Sequence, residues 1–267
     1  MAKEAASEPL LYIVDAGGIY AVTYPQGKLV GELTDIETPA AACSDASGNV
    51  FVTADWTEDV LEYARGGTKP IAKLGDYGYE PNGCAIDPKT GNLAVANTEA
   101  MDGGVGNVAI YTKAQGKPTD YSPPYGASWC AYDNQGDLLV GGNGGGYAEM
   151  PAGGSGFENV DLDITGQGIQ WDGTYFAIVN PAGKEIYRVS VSGSKGSVVS
   201  TVQYTGLFFG LGYDFVFAES KIVIPYAPKQ SGELSRIATA KYPQGGSLGK
   251  PLNIDVDGPY YALALSK

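Results

Sequence analysis

Apolar residues in this chain come in short runs bounded by Gly, Pro, Asn and Asp, and the runs carry strand rather than helix periodicity. "VFVTAD" at 50–55, "LAVAN" at 93–97, "LLVGGN" at 138–143 and "FAIVN" at 176–180 are nearly continuous apolar strands. "DVLEYA" at 59–64, "NVAIYT" at 107–112 and "EIYRVSV" at 185–191 follow them as a further strand each, and "KPIAKL" at 69–74 and "SVVSTVQY" at 197–204 read as a fourth. One segment pulls the other way: "TEDVLEYAR" at 57–65 lacks Gly and Pro and could start a helix at Thr57. Its place matches "GGIYAVTY" at 17–24 and "GNVAIYTK" at 106–113, so it is assigned as a strand.

The runs repeat. An apolar stretch ends in Asp at Asp45, Asp87, Asp133, Asp172 and Asp214, with spacings of 42, 46, 39 and 42 residues, and a tight turn follows ("ASGN" 46–49, "PKTGN" 88–92, "NQGD" 134–137). A period near forty with four strands per unit predicts an all-β fold, a β-propeller with four-stranded blades. Counting to the ends gives six blades. The chain opens at "LLYIVDAG" 10–17 with a second strand that lacks a first, and closes at "YYALALSK" 260–267 with a first strand that lacks a second. The C-terminal strand is therefore expected to become the inner strand of the N-terminal blade, which removes the free ring ends. Residues 1–9 are expected to be a flexible segment and 10–267 a single propeller domain.

Composition narrows the function. With 39 Gly and 16 Pro in 267 residues the chain is rich in turns, and 17 basic against 30 acidic residues leave a net charge of −13, which repels nucleic acid and anionic membranes. The most hydrophobic stretch, "GLFFGLGYDFVFA" at 206–218, is too short to span a bilayer and contains Asp214. No secretion signal is visible before Pro9, although an exported protein with its signal removed would start this way, so the expected compartment stays open between interior and secreted or periplasmic. There is no histidine, which excludes His-based triads and His-ligated zinc. Cys43, Cys84 and Cys130 match no zinc spacing, and lying on inner strands of different blades they are expected to be reduced and unlinked.

Pro-x-Gly, an apolar run ending in Asp, Gly-Asn, an apolar run ending in Ala-Asn or Ala-Asp, then a strand ending in Tyr: this unit resembles the NHL-repeat propellers, with Asp87 to Asn97 as its best copy. The resemblance implies a fold and a binding role at one mouth of the central channel. Pro81-Asn82-Gly83 is also similar to the motif of the gluconolactonase (senescence-marker protein) family, in which such an Asn binds a divalent metal with a Glu and an Asp. That likeness implies Asn82 as a ligand, Glu37 as the matching Glu, and a metal-bound water that opens a lactone. The chain departs from it where Ala127-Ser128 replaces Pro-Asp.

Two loop sets can build a mouth. Loops leading into inner strands carry Thr38, Glu80, Asn82, Tyr125, Ser128, Gln167, Phe208, Phe209 and Tyr260, with Tyr77, Tyr79 and Tyr121 among the nearby aromatics. Loops leaving second strands begin at Asp15, Asp55, Asn97, Asn143 and Asn180. A ring of Asp and Asn oxygens suits Ca²⁺ or a sugar, and the same side chains also close turns on backbone amides. Two acidic alternations, Asp161/Asp163 and Asp255/Asp257, each place their carboxylates on one strand face, where they blunt a sheet edge. The expected function is ligand or partner binding (small molecule, carbohydrate or peptide) at one mouth. The expected ligand residues are Asp15, Asp55, Asn97, Asn143, Asn180, Glu80, Asn82, Tyr125 and Tyr260. No required cofactor or metal is expected, Ca²⁺ or another divalent cation being the alternative, and the chain is expected to act as a monomer. The alternative function is a metal-dependent hydrolase of the lactonase type.

Overall fold

The computed structural model describes residues 1–15, 17–142, 144–206, 210–227, 236–254 and 258–267. The strands form six antiparallel sheets arranged as the blades of a six-bladed propeller. Blades 2, 3 and 4 are the regular ones. Their inner strands are Pro39–Ser44, Tyr79–Ile86 and Ala127–Tyr132, and their outer strands are Pro70–Gly75, Thr119–Tyr121 and Glu158–Val160. Blade 5 runs from Ile169–Trp171 out to Lys195–Thr205 and gains a fifth, parallel strand at Gly246–Ser247. Blade 6 comprises Val216–Ala218, Lys221–Tyr226 and Arg236–Lys241.

The ring closes as the terminal half-blades require. Tyr260–Ser266 is the inner strand of blade 1 and pairs antiparallel with Leu10–Asp15, from Leu10 opposite Ser266 to Asp15 opposite Tyr260. Residues 1–9 do not trail free. Lys3–Ala6 form a 3-10 turn, Ala2 donates its amide to the Val30 carbonyl, and the Arg65 guanidinium donates to the Glu8 carbonyl.

The second strands are the most buried elements. Val50–Ala54 and Leu138–Gly142 are buried at every position because neighbouring blades cover both faces, and this is why they read as continuous apolar runs. The outer strand of blade 5, Lys195–Thr205, is exposed at most positions and is correspondingly polar. The ambiguous segment is a strand, Asp59–Tyr63, pairing Ala54 with Asp59 and Val50 with Tyr63. Its Val60, Leu61 and Tyr63 are all buried, and only an extended chain can place them on the two faces of a blade.

Two expectations need correction. First, Cys43 and Cys84 form a disulfide that staples the inner strands of blades 2 and 3, and Cys130 alone is a free, buried thiol. Neighbouring inner strands run side by side down the channel, so residues 41 apart in sequence reach a Cα separation of 5.7 Å, within bridging range. Second, Asp214 does not end the inner strand of blade 6. That strand is Val216–Ala218, and the turn to Lys221 falls at Glu219–Ser220, with Glu219 at φ 57°. Asp214 lies ahead of the strand, 2% exposed.

Candidate functional site

All inner strands run in one direction along the channel, so the ring has two unlike ends. At the end reached by the inner-strand C-termini lies a cavity of about 290 Å³, lined by the Cys43–Cys84 bridge, Ser44, Gln170, Trp171 and Lys267 among others. The loops that lead into inner strands and those that leave second strands lie at the opposite end.

Two of the recurring Asp and Asn positions, Asp15 and Asn180, are occupied with their own backbone. Asp15 Oδ1 accepts from the amides of Gly17 at 2.6 Å and Gly18 at 2.8 Å. Asn180 Oδ1 accepts from the Gly183 amide at 3.1 Å, while its Nδ2 donates to Glu185 and to the Tyr187 hydroxyl. Asn97 is fully buried and its Nδ2 donates to Asn107 Oδ1 at 2.6 Å. Asp55 differs: its carboxylate Oδ1 is buried without a hydrogen-bond partner, and desolvation raises its pKa. Asn143 lies outside the described residues, as do Phe208, Phe209, Asp255 and Asp257.

Among the loops that lead into inner strands, Tyr125 donates its hydroxyl to Asn159. Tyr260 is only 2% exposed and packs in the apolar cluster shared by blades 1 and 6, so its ring does not stand at the mouth. Asn82 Nδ2 donates to Thr98 Oγ1 at 3.3 Å, and Thr98 Oγ1 shares a hydrogen bond with Ser128 Oγ at 3.1 Å. This amide–hydroxyl chain contains no carboxylate. Glu37 is exposed and lines a separate recess with Asp35, Asp59 and Lys73. Among the described residues there is no group of three or more Asp, Glu, Cys or His side chains disposed to hold a metal. Asp161 and Asp163 are both exposed beyond the short strand Glu158–Val160, at the edge of blade 4.

One stretch of the rim, over blades 2 and 3, concentrates chemistry. Glu80's pKa is raised by desolvation and by the charges of Asp55 and Glu99, so three carboxylates share one region. Neither described ion pair, Lys73–Asp59 nor Arg188–Asp172, draws on them. Trp56 follows Asp55 directly and is 76% exposed; Tyr77 is 79% exposed, on the loop that the Gly78 amide ties to Glu58 Oε2 at 2.6 Å. Met101 and Val105, on the hairpin leaving Leu93–Ala100, extend this exposed surface. The repeat pattern singled out Asp55, Glu80 and Tyr77 but not Trp56 or Glu99. Both missed residues sit one or two positions past a recurring Asx, a signal the register contains.

No family profile matches the sequence, and no curated protein matches it. Solved structures do. A protein of unknown function from Bacteroides caccae superimposes with a TM-score of 0.71 at 14% identity, covering 98% of this chain and all of that one. A chain of a nidogen/laminin complex gives 0.72 at 9% identity over 97% of this chain and 98% of its own. A functionally unknown protein from Desulfotomaculum acetoxidans DSM 771 gives 0.64 at 13% identity over 96% and 98%. At these identities the likeness is one of fold.

Proposed function

We propose that this protein is a binding propeller, NHL-like in its repeat, in which the rim over blades 2 and 3, built by the approaches to inner strands and the exits of second strands, takes a positively charged ligand or partner. The observation that carries the reading is the grouping of Asp55, Glu80 and Glu99, without a basic partner in either described ion pair, beside the exposed rings of Trp56 and Tyr77. Carboxylates supply Coulomb attraction and aromatic faces supply cation–π contact, a combination suited to ammonium and guanidinium groups. The chain's net charge of −13 favours such a partner over long range. The solved nidogen/laminin complex contains a propeller of this fold with a protein partner, which fits a binding role. The lactonase reading has less support, because Asn82 and Ser128 are joined through Thr98 with no acid among them and Glu37 lies elsewhere.

The test is titration of a lysine-rich peptide, a neutral oligosaccharide set and an acidic peptide against the protein at low and moderate salt. The basic peptide is expected to bind, to weaken as salt rises, and to lose at least tenfold in affinity in Trp56→Ala and in Asp55→Asn/Glu80→Gln. Equal binding of acidic and basic peptides, or binding indifferent to these substitutions, overturns the reading.

A further inference from the structure

Five blades have a covered or blunted outer edge, and blade 5 does not. In blade 1 the start of the chain lies on the edge: Ala2 donates its amide to the Val30 carbonyl at 2.8 Å, and the Met1 side chain lies against Gly31. Blade 2 carries Pro70 and Lys73 in its outer strand, and the outer strands of blades 3 and 4 have three residues each, among them Asp120 and Glu158. In blade 6, Gly249 and Leu252 donate their amides to the carbonyls of Thr239 and Ile237 and so cover Arg236–Lys241. Short strands, charges, Pro and covering segments all keep a sheet edge from pairing with other chains. The outer strand of blade 5, Lys195–Thr205, has eleven residues and neither a charge nor a Pro from 196 to 205, in a chain of net charge −13.

This edge is closed only at its ends. Asp161 bridges Lys195 in parallel, and its carbonyl takes the Gly196 amide at 3.0 Å. Gly246–Ser247 pairs in parallel with Tyr204 and Thr205. Among the described residues, no backbone hydrogen bond reaches the outer side of residues 197–202. These six residues leave a gap about 20 Å long. The Tyr204 amide donates inward, to the Lys184 carbonyl at 2.9 Å, so by strand alternation the Thr201 amide faces out into the gap.

Blade 1 shows what such an edge takes. Its outer strand has the same bulge: Val30 is the extra residue opposite Ala21 and Val22, as Val199 is opposite Arg188 and Val189. Beneath residues 1 and 2, Val30 is 6% exposed, whereas Val199 is 48% exposed. An extended segment with an apolar side chain therefore covers one bulge, and the equivalent one stands open. A second copy is a poor occupant. Each gap is recessed by one strand between Asp161 and Gly246–Ser247, so two such edges brought together would collide at these flanking segments before their strands could pair. A slender segment enters without that clash.

We propose that the outer edge of blade 5 is a docking slot for an extended, uncharged segment of a partner protein, which pairs backbone to backbone with residues 197–202 and lays an apolar side chain over Val199. Backbone pairing supplies the affinity and the exposed Val199 the selectivity, as in other complexes formed by strand addition. Coulomb attraction has no part in it, because the slot is uncharged. The slot lies on a different blade from the acidic rim and does not depend on the reading of that rim.

The test is fluorescence anisotropy of a dye-labelled, acetylated and amidated hexapeptide of alternating Val and Thr, titrated with the protein at low and moderate salt. The same peptide with Pro in place of two central residues is the control. The Val-Thr peptide is expected to bind equally at both salt concentrations, and the Pro peptide about tenfold more weakly or worse, since it lacks donors for the ladder. Val199→Lys and Thr201→Pro are each expected to weaken binding by about tenfold or more. Val199→Lys keeps every backbone group and so carries the test should Thr201→Pro misfold. Trp56→Ala and Ile71→Lys should bind as the wild type does. Four outcomes overturn the proposal: no binding of the Val-Thr peptide, equal binding of the Pro peptide, binding undiminished in Val199→Lys, or binding lost in Trp56→Ala or Ile71→Lys. A dimer in sedimentation velocity that Val199→Lys dissociates would overturn it too, by giving the edge to a second copy.

Discussion

Asp172 and Asp214 match in the sequence repeat, but the fold puts Asp172 just after the inner strand of blade 5 and Asp214 just before that of blade 6, and it uses them in opposite ways. Asp172 makes the turn: its Oδ1 accepts from the amides of Thr174 at 2.8 Å and Tyr175 at 2.7 Å, and its Oδ2 pairs with Arg188 at 2.7 Å and takes the Tyr242 hydroxyl. Arg188 in turn lies over the Tyr175 ring at 4.7 Å. Burial alone would raise this carboxyl, but the bonds from Arg188, Tyr175, Tyr242 and Thr174 outweigh it and hold the pKa below the usual range. Asp214 accepts the Leu263 amide at 3.1 Å and a long contact from Gln170 at 3.4 Å, with no cation. Desolvation dominates there, and the carboxyl is pushed up to about 7. What makes one Asp an anchor and the other a buried weak acid is the supply of donors around it, which follows from where the fold puts it relative to the inner strand.

The largest test of this contrast removes Asp214's main donor strand. Deleting residues 260–267 takes away the Leu263 amide together with the inner strand of blade 1, and is expected to abolish cooperative unfolding by circular dichroism. A truncated protein that melts as one sharp transition would break the closure scheme.

The cysteines repeat the contrast, since equivalent inner strands hold a bonded pair and a buried thiol. Titration of denatured, unreduced protein should find one thiol, and reducing the Cys43–Cys84 bridge should lower stability by about 2–4 kcal/mol. Three thiols in unreduced protein would remove the staple from the account.

Asp172→Ala should cost about 2–3 kcal/mol near neutral pH, as measured by urea unfolding, because Arg188 and two turn amides lose their acceptor. The signs of the pH dependence are opposite for the two acids. Asp172, with a depressed pKa, contributes stability that is present above the unfolded value of about 4 and lost as the pH falls through its folded value. Asp214, with a raised pKa, contributes stability present below about 4 and lost as the pH climbs through about 7. Asp76 and Glu149, both also raised to about 7, add to that loss. The smallest effect follows: Asp214→Asn should gain about 1–2 kcal/mol at pH 8 and little at pH 5, with Gln170 turning to offer its oxygen to the new amide. An Asp214→Asn variant as pH-dependent as the wild type would show that another group carries the trend.

Strand alternation, the Asp-to-Asp spacing near forty and the incomplete terminal blades were enough to determine the six-bladed ring and its closure, because they reflect local turn chemistry and burial patterns that every copy must satisfy. Asp45, Asp87 and Asp133 were legible as turn residues for the same reason: each accepts from an amide two positions on. The candidate rim was half legible. Asp55, Glu80 and Tyr77 fall at repeat positions, whereas the exposure of Trp56 and the approach of Glu99 depend on how one hairpin stands beside the neighbouring loop. Only the tertiary structure decided that Cys43 meets Cys84, that Tyr260 turns into the core, and that Asp214 meets the Leu263 amide. These are contacts across the seams between blades, where residues some forty positions apart, or in the case of Asp214 and Leu263 on opposite sides of the ring closure, are brought together. A periodic sequence specifies each blade almost by itself, but which side chains oppose one another across a seam depends on the stacking of two blades, and no single repeat encodes it.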